Sequence, residues 1–252
     1  MTGSGDLNQR RHERREIDYW SRSRGKAAEV DSLDGLTQKM AEARVVLEKL
    51  ERFDAYFREA TVIAELGGGE CWFSCIVKRQ FGPHNTVIGS DIATDALAAA
   101  PEWERIFQVR LEGTSACRSY EMPLRSESVD LVVAFASAHH FGAHRRTLEE
   151  ISRVLAPRGR ALYLHEPGCR RYIHRLARRR VQTKRSIVGE DVLVYRDLVA
   201  LAERAGLRAE VVFSPTTTFR GPLQTVYYLV LSRIPALQHV LPCSVDLVFS
   251  KP

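Results

Sequence analysis

Short apolar runs alternate with amphipathic stretches from residue 61 to the end of the chain. The runs have the length and composition of strands, and seven of them occur, at residues 61–66, 85–91, 105–113, 129–137, 160–167, 208–215 and 243–252. Stretches with apolar residues every three or four positions lie between them, most clearly at 144–155 and 194–207. This order predicts a doubly wound α/β fold with a mostly parallel seven-stranded sheet.

The first 58 residues do not follow this alternation. Residues 34–58 carry apolar side chains at helical spacing, which predicts one long amphipathic helix. Residues 1–33 are polar and arginine-rich, and we interpret them as a loose arm with one aromatic anchor, Tyr19-Trp20. We therefore divide the chain into an N-terminal arm with a helical cap (1–58) and a main domain (59–252).

Two segments of the main domain also stand outside the alternation, and we interpret them as insertions at residues 168–190 and 219–242. The second insertion is apolar. The first contains the stretch 170–185, which holds eight basic residues, no acidic residue, and apolar side chains at helical spacing. Its arginine face is either a solvated surface or a contact for an anionic acceptor, RNA or a membrane surface.

The distribution of charged residues along the chain bears on which kind of partner the protein binds. The chain has 37 lysines and arginines against 31 aspartates and glutamates, a net charge of +6, and the stretch 170–185 accounts for the whole excess. Proteins that bind nucleic acid usually spread positive charge over a face, so we do not expect nucleic acid as the main partner. No apolar run approaches the ~18 residues of a membrane-spanning helix.

The spacing of the cysteines and the composition of the N-terminus indicate in which cellular compartment the protein is expected. The five cysteines include no C-x-x-C pair, which argues against a disulfide framework and against a structural zinc site. The N-terminus has no apolar region of the kind that secretory signals carry. We therefore predict a cytoplasmic protein. The sequence leaves the oligomeric state open.

A glycine loop and an aspartate follow the first two predicted strands. Gly67, Gly68 and Gly69 lie between Glu65 and Glu70, directly after the first strand, and Asp91 ends the second. Ligands of open parallel sheets bind at these strand ends, where glycines allow close approach and a carboxylate binds the two hydroxyls of a ribose. The pattern predicts a nucleoside cofactor.

The chemistry of the loop restricts which nucleoside binds. Trp72 stands where the third glycine of a dinucleotide-binding loop belongs, and no Gly-Lys-Ser/Thr follows, as a P-loop would require. Glu65 and Glu70 would repel a pyrophosphate. Carboxylates at this place suit a ligand with an ammonium or sulfonium group.

With these motifs, the chain resembles the class I S-adenosylmethionine-dependent methyltransferases, a Rossmann-like family, over roughly residues 60–167. The similar segments are AELGGGE, IGSD, SYEMPLRSESVDLVVAFASAHHF and ISRVLAPRGRALYLHEP. The likeness is strongest to methyltransferases of quinones and natural products. It implies S-adenosylmethionine as cofactor, a small-molecule acceptor, and a lid role for the two insertions.

The resemblance also implies cofactor contacts, residue by residue. Glu65 and Gly67, with Gly68 and Gly69, would hold the methionine amino end, and Asp91 would bind the ribose. The remaining contacts would be made by Ile92 on the adenine, Ser119 and Tyr120 at its edge, and Ala136 beside the methionine part. Apart from the resemblance, we expect the aromatic anchor of the arm, with Trp20, to close over the cofactor. Two positions depart from the family: Cys71 replaces the third glycine, and Arg118 replaces the usual aspartate near the adenine amino group.

His139 and His140 follow the fourth predicted strand, and His165 and Glu166 end the fifth, so we expect all four at the same cleft. If the acceptor is a hydroxyl, a base must take its proton, and a histidine with an ordinary pKa near ~6.5 can do so at neutral pH. We predict His140 as the base and His139 as its orienting neighbour, with Glu166 as the next candidate. A divalent metal on either histidine with Glu166 is an alternative, although the spacing matches no known ligand set.

The predicted function is therefore methyl transfer from S-adenosylmethionine to a hydroxyl of a small or medium-sized acceptor. Two alternatives stay open. One is an RNA methyltransferase that uses the basic stretch 170–185, and the other is a protein that binds S-adenosylmethionine without methylating. The acceptor itself cannot be read from the sequence, because acceptor pockets vary on a shared fold.

Overall fold

A computed structural model describes residues 3–22, 33–82, 84–182, 191–218 and 220–252. The helices in these ranges are α1 (Gly3–Arg22), α2 (Leu33–Arg52), α3 (Asp54–Glu59), α4 (Trp72–Phe81), α5 (Thr94–Leu97), α6 (Ala100–Phe107), α7 (His144–Val154), α8 (His174–Gln182), α9 (Tyr195–Arg204), α10 (Pro222–Arg233) and α11 (Pro235–Gln238). The strands are β1 (Val62–Leu66), β2 (Thr86–Asp91), β3 (Gly113–Ala116), β4 (Val129–Phe135), β5 (Leu155–Cys169), β6 (Leu193–Val194), β7 (Arg208–Phe213) and β8 (Cys243–Ser250).

The strands form one sheet in the order β3-β2-β1-β4-β5-β8-β7, and the two-residue β6 pairs with the end of β5. β1 to β5 run parallel, whereas β8 runs antiparallel to both of its neighbours. The chain passes from β3 at one edge back to β4 beside β1, so the switch point lies between β1 and β4. Ligand sites of open α/β sheets form at this point. The predicted doubly wound, mostly parallel sheet is confirmed, with the two-residue β6 as an eighth strand beyond the seven predicted.

Apolar side chains cover both faces of the sheet. On one face, α3 and α4 contribute Phe57 and Phe73 to a core that also takes in Val46 and Leu50 of α2. On the other face, α7 and α9 pack over Tyr163 and the last strand. The strands alternate their side chains between these two layers, and for this reason the inner strands are apolar almost throughout.

The loose arm predicted for residues 1–33 is wrong over 3–22, which form α1. The apolar pattern misses this helix because polar contacts hold it to the main domain. Glu13 accepts a hydrogen bond from Arg118 at 3.0 Å, and Ser21 donates one to Asp95 at 2.8 Å. Residues 23–32 of the predicted arm lie outside the described residues.

Two further elements differ from their predictions. The helix predicted at 34–58 is divided at Phe53, a buried residue whose ψ of 19° leaves the helical region, into α2 and α3. The strand predicted at 105–113 lies instead at 113–116, because residues 100–107 form α6. Trp103 and Phe107 stack there at helical spacing, 5.9 Å apart, and Trp103 packs on α4.

The insertions contain helices. The spacing at 170–185 predicts an amphipathic helix, and α8 lies there, while residues 183–190 are outside the described ranges. The apolar insertion holds α10 and α11. No helix in the described part of the chain combines the length and the apolar character that crossing a membrane requires. The domain division at residue 58 stays a prediction, as does the cytoplasmic location.

Candidate functional site

A cavity of about 740 Å³ lies at the carboxyl ends of β1, β2, β4 and β5. Loops of the sheet form its floor, and α1 and α2 cover it from the other side. Its volume falls within the range of roughly 300–1,000 Å³ that small-molecule sites occupy.

The glycine loop after β1 forms part of the floor. Gly67 and Gly69 have φ angles of +66° and +54°, in the left-handed region that favours glycine. A Cβ on Gly67 would lie 2.9 Å from Ser137, and one on Gly69 would lie 3.2 Å from the indole of Trp20. The loop therefore packs tightly against the turn after β4 and against α1, with Trp20 directly over it.

Cys71 occupies the position where the family has its third glycine, and it keeps the backbone conformation of a glycine, with φ +60°. Its thiol is buried and points beneath the loop towards β2. A Cβ on Gly89 of β2 would overlap this sulfur. The third glycine of the family is thus replaced by a buried thiol for which Gly89 leaves the space.

Glu65 lies at the end of β1 and lines the cavity. It accepts hydrogen bonds from the backbone N–H, at 3.1 Å, and the hydroxyl of Ser74. Burial, with a smaller contribution from the nearby Asp91, raises the pKa of Glu65 to about 7. An incoming ammonium group would favour the ionised form of this carboxyl.

Asp91 ends β2 and also lines the cavity. Its carboxylate accepts hydrogen bonds from the backbone N–H groups of Gly69 at 2.9 Å and Ala93 at 2.8 Å. Burial raises the pKa of Asp91, and these two hydrogen bonds oppose that effect. The side chain therefore ties the glycine loop to the end of β2, while Ile92 and Ala136 line the cavity on either side.

Ser119 and Tyr120 line the same end of the cavity. The hydroxyl of Ser119 lies 2.8 Å from that of Thr147, and the Tyr120 hydroxyl donates a hydrogen bond of 2.5 Å to Glu13 of α1. Burial alone would raise the pKa of Glu13, but hydrogen bonds from Tyr120, Gln9 and Arg118 lower it. A carboxylate from α1 thus lies beside Arg118, the position where the family carries its aspartate.

Of the predicted catalytic residues, His140 lies on the cavity wall. Its Nδ1 is 2.9 Å from a carboxylate oxygen of Glu16, and the ring of His12 contacts its carbonyl oxygen at 2.8 Å. Both partners belong to α1. The cavity therefore contains a histidine–carboxylate pair whose two members come from the sheet and from the covering helix.

His139 and Glu166 form a second pair that does not line the cavity. Glu166 is fully buried and accepts hydrogen bonds from the backbone N–H groups of Ser137, Ala138 and His139 and from the ring of His139 at 2.8 Å. Burial alone would raise the pKa of Glu166, but the His139 charge and these hydrogen bonds lower it. The expectation that Glu166 faces the cleft does not agree with this placement, because its carboxylate is used to fix the turn after β4.

The far end of the cavity is lined by His165, Thr218 and Arg220. Arg220 belongs to the insertion 219–242, which thus reaches the cavity. The described residues of the arginine-rich insertion contribute nothing to the lining. In the described ranges no three His, Cys, Asp or Glu side chains are grouped as metal ligands.

The sequence pattern missed most of the contribution of α1, from which only the aromatic anchor with Trp20 was expected at the cofactor. The cavity-lining residues of this helix are His12, Glu13, Glu16, Tyr19 and Trp20. They recur every three or four residues and so share one face of a helix. The signal was present, but it is carried by polar and aromatic side chains and not by the aliphatic residues on which helix prediction relies.

The donor set fits the implied cofactor. Three carboxylates, of Glu16, Glu65 and Asp91, lie at the cavity end that the glycine loop forms. Carboxylates there suit an ammonium, a sulfonium and a ribose diol, and they disfavour a pyrophosphate.

Comparisons with known proteins agree with this arrangement. Residues 64–163 match the family model described as a methyltransferase domain. No curated protein sequence matches the chain at a significant level.

Several solved structures share the fold at low sequence identity. Geranyl diphosphate C-methyltransferase from Streptomyces coelicolor, solved with S-adenosyl-L-homocysteine, is 13% identical, with a TM-score of 0.58 and 82% coverage of both chains. A Haemonchus contortus phosphoethanolamine N-methyltransferase is 15% identical, with a TM-score of 0.52, 76% coverage of this chain and 49% of that chain. The cyclase SpnF is 19% identical, with a TM-score of 0.54, 76% coverage of this chain and 74% of that chain.

Proposed function

We propose that the chain is a class I S-adenosylmethionine-dependent methyltransferase and that it methylates a hydroxyl group of a small or medium-sized acceptor. The observation that carries this proposal is the His140–Glu16 pair on the wall of a covered cavity. A hydroxyl has to lose its proton as it gains a methyl group, whereas a carbon or amine acceptor presents different demands on a base.

The cover of the cavity supports a small acceptor. α1 and α2 lie across the carboxyl ends of the strands and contribute nine lining residues, among them Trp20 and Val45. A polymer chain would have to displace both helices to reach the floor. A metabolite needs only the volume that the cavity already provides.

The residues proposed to hold the cofactor are those at the acidic end. Glu65 and the backbone of Gly67 would bind the methionine amino end, Asp91 the ribose, and Ile92 the adenine. S-adenosylmethionine supplies, when bound, a methyl group activated by a sulfonium. The protein contributes mainly by holding the acceptor oxygen close to that group and in line with it.

His140 is proposed as the general base. The acceptor oxygen forms the new bond to the methyl carbon, the bond between that carbon and sulfur breaks, and the hydroxyl proton passes to the imidazole. Glu16 would fix the ring's tautomer and stabilise the imidazolium that results. His139 is not proposed as a base, because Glu166 holds its ring in the turn behind the wall.

Two alternative functions would each depend on a specific feature of the molecule or its fold. RNA methylation would use the arginine face of α8, which lies outside the cavity lining. A non-methylating role has a precedent in the fold, since the similar SpnF is a cyclase. Neither accounts for a histidine–carboxylate pair inside the cavity as directly as hydroxyl methylation does.

The decisive experiment is incubation of the protein with a metabolite extract and S-adenosylmethionine labelled in its methyl group, followed by mass spectrometry. A labelled methyl ether in the small-molecule fraction is the expected product. A labelled amine or C-methyl product would contradict the hydroxyl assignment. Label found only in RNA would favour the first alternative, and no label despite tight S-adenosylhomocysteine binding would favour the second.

A further inference from the structure

Two of the cations that line the cavity are paired with carboxylates, Lys39 with Glu42 and Arg118 with Glu13, whereas Arg220 has no ion pair with a described carboxylate. Glu16, Glu65 and Asp91 lie at the glycine-loop end, and the guanidinium of Arg220 lies at the far end beside His165. We propose that Arg220 binds a carboxylate or phosphate group of the methyl acceptor, so that the acceptor is an acid. This inference rests on the proposed function and specifies the class of its substrate.

Arg220 is already held in one orientation. Its Nε donates a hydrogen bond of 2.7 Å to the carbonyl oxygen of Thr216, and its Nη2 donates one of 2.9 Å to the hydroxyl of Ser244 on β8. The guanidinium carbon also lies 3.5 Å from the ring centroid of Tyr228 on α10. A guanidinium fixed in this way loses little conformational entropy when an anion binds.

The same guanidinium keeps hydrogen-bonding capacity. Arginine has five N–H donors, and within the described part of the chain neither N–H of Nη1 is used. Arg220 also forms no ion pair with a described carboxylate. The carboxylate of Asp246, which lies on β8 with Ser244, pairs instead with Lys49 at 2.7 Å and with Arg52 at 3.6 Å. A positioned guanidinium with spare donors on a cavity wall is the geometry that binds a carboxylate or phosphate.

His165 provides a second observation at the same place. Its φ is +60°, and it lies where the pairing of β5 with β8 shifts register, an irregularity of the kind that re-aims side chains next to active sites. Its ring stacks on Phe135 with the centroids 6.0 Å apart, and its Nδ1 is buried without a hydrogen-bond partner among the described residues. Such an atom costs roughly 1–3 kcal/mol unless a ligand satisfies it.

The electrostatic state of His165 agrees with a ligand-binding role. Burial, together with the charges of Lys49 and Arg220, lowers its pKa to about 4. The ring is therefore neutral at physiological pH. It can exchange a hydrogen bond with the acceptor while the neighbouring Arg220 supplies the positive charge.

The order of the strands separates Arg220 from the cofactor's own carboxylate. Glu65, proposed to bind the amino end of the cofactor, lies on β1, whereas His165 lies on β5 and Ser244 on β8. β4 stands between β1 and β5, so these strand ends are about 10 Å apart at the usual strand spacing of ~4.8 Å. The amino and carboxylate groups of an amino acid share one carbon and cannot span this distance.

Binding of small probes to the protein loaded with S-adenosylhomocysteine tests the proposal. The probes are benzoate, phenyl phosphate and the neutral benzamide, followed by ligand-observed NMR. Benzoate or phenyl phosphate should bind at least about tenfold more tightly than benzamide, the effect of one charge-assisted hydrogen bond. The two anions distinguish a carboxylate site from a phosphate site.

Two variants give the control. Arg220→Gln should abolish the preference for the anions, and Arg179→Gln, on the exposed face of α8 outside the cavity, should keep it. S-adenosylhomocysteine should bind both variants as it binds the parent. Equal binding of benzoate and benzamide in the parent, or a preference that survives Arg220→Gln, would overturn the proposal. Weakened S-adenosylhomocysteine binding in Arg220→Gln would overturn it too, since Arg220 would then contact the cofactor.

A methyl-transfer assay provides an independent test of the acidic acceptor. A metabolite extract is separated by ion exchange into anionic, neutral and cationic fractions before reaction with labelled S-adenosylmethionine. Label in the anionic fraction alone is expected, and label in the neutral or cationic fraction would contradict the acidic acceptor while leaving methyl transfer intact. Absence of label from all three fractions would count against the proposed function, and the probe titration would still decide whether Arg220 binds anions.

Discussion

Nδ1 of His140 lies 2.9 Å from a carboxylate oxygen of Glu16, and this contact joins the turn after β4 to the covering helix α1. The proposed base therefore receives its carboxylate partner from a helix that the apolar pattern did not predict. A carboxylate beside one ring nitrogen leaves the other nitrogen available as an acceptor. The cavity and the base are thus completed by the same element.

Replacement of His140 by alanine should lower kcat by about 10²–10⁴ and leave S-adenosylhomocysteine affinity nearly unchanged, because only the proton transfer is removed. The loss should become smaller at high pH, where hydroxide can substitute for the base, and at low pH, where the base of the parent is itself protonated. Glu16→Gln should cause a smaller loss of kcat, since the ring remains but its carboxylate partner does not. Initial rates of labelled methyl transfer at several pH values measure both effects.

Asp18→Asn provides the matched control for Glu16→Gln. Asp18 lies on the same helix, is exposed and does not line the cavity, so its replacement should leave kcat as in the parent. If His139→Ala and His140→Ala each keep more than a tenth of the parent kcat, neither histidine is the base.

Cofactor affinity should depend on pH through Glu65. Burial raises the pKa of this carboxyl to about 7, so it is increasingly protonated as the pH falls below that value. A cationic amino group binds the ionised form, and affinity should therefore fall by up to about tenfold for each pH unit below 7 and level off above it. Calorimetric titration with S-adenosylhomocysteine between about pH 5.5 and 8.5 measures this profile. Glu65→Gln should bind more weakly and without the pH dependence, and a parent profile that is flat would exclude Glu65 from the amino-end contact.

Asp91→Ala should weaken S-adenosylhomocysteine binding by about 1.5–3 kcal/mol, the loss of charge-assisted hydrogen bonds to the ribose. Asp91 also accepts bonds from Gly69 and Ala93, so loosening of the loop is a competing cause. Asp91→Asn separates the two, because an amide oxygen can still accept one of these bonds while the charge is gone. Unchanged affinity in both variants, measured by calorimetry, would remove Asp91 from the proposed site.

The strand-end residues of the candidate site were predictable because their positions follow from local pattern. One apolar run ends in Glu65 and three glycines, and the next ends in Asp91. Each run is recognisable as a strand from local sequence alone, so Glu65 and Asp91 are expected at the carboxyl edge of a parallel sheet. Glu16, Lys39 and Arg220 reach the same cavity from α1, α2 and the insertion, and nothing in their local sequence specifies that approach. The position of β3 was predicted wrongly for a related reason. The apolar run at 105–113 has the pattern of a strand, but its first residues belong to α6, which is stabilised by the packing of Trp103 on α4.

Gly89→Ala should destabilise the protein by about 1–3 kcal/mol, because the new methyl group would overlap the sulfur of Cys71 in a packed core. Cys71→Gly should relieve this, since glycine both removes the sulfur and suits the φ of +60°. The double variant should therefore be more stable than the sum of the two single changes predicts, and denaturant unfolding of all four proteins measures the difference. Additive effects would show that the two positions do not share this space.

Lys49 and Asp246 form a fully buried ion pair, 2.7 Å apart, behind the far end of the cavity. Burial lowers the pKa of Lys49, and the Asp246 charge opposes that effect. Among the described residues, Lys49→Met would leave the buried carboxylate with Arg52, at 3.6 Å, as its one cationic partner, and we expect a loss of about 3–5 kcal/mol in the free energy of unfolding. Lys49→Met with Asp246→Asn should recover part of that loss, because the amide can still accept the backbone hydrogen bond of His165 without a buried charge.

Arg145→Met, which breaks the exposed pair with Glu149, serves as the control and should cost about 0–1 kcal/mol. Denaturant unfolding checks the series, and a Lys49→Met variant no less stable than Arg145→Met would show that the buried charge is not what the lysine compensates.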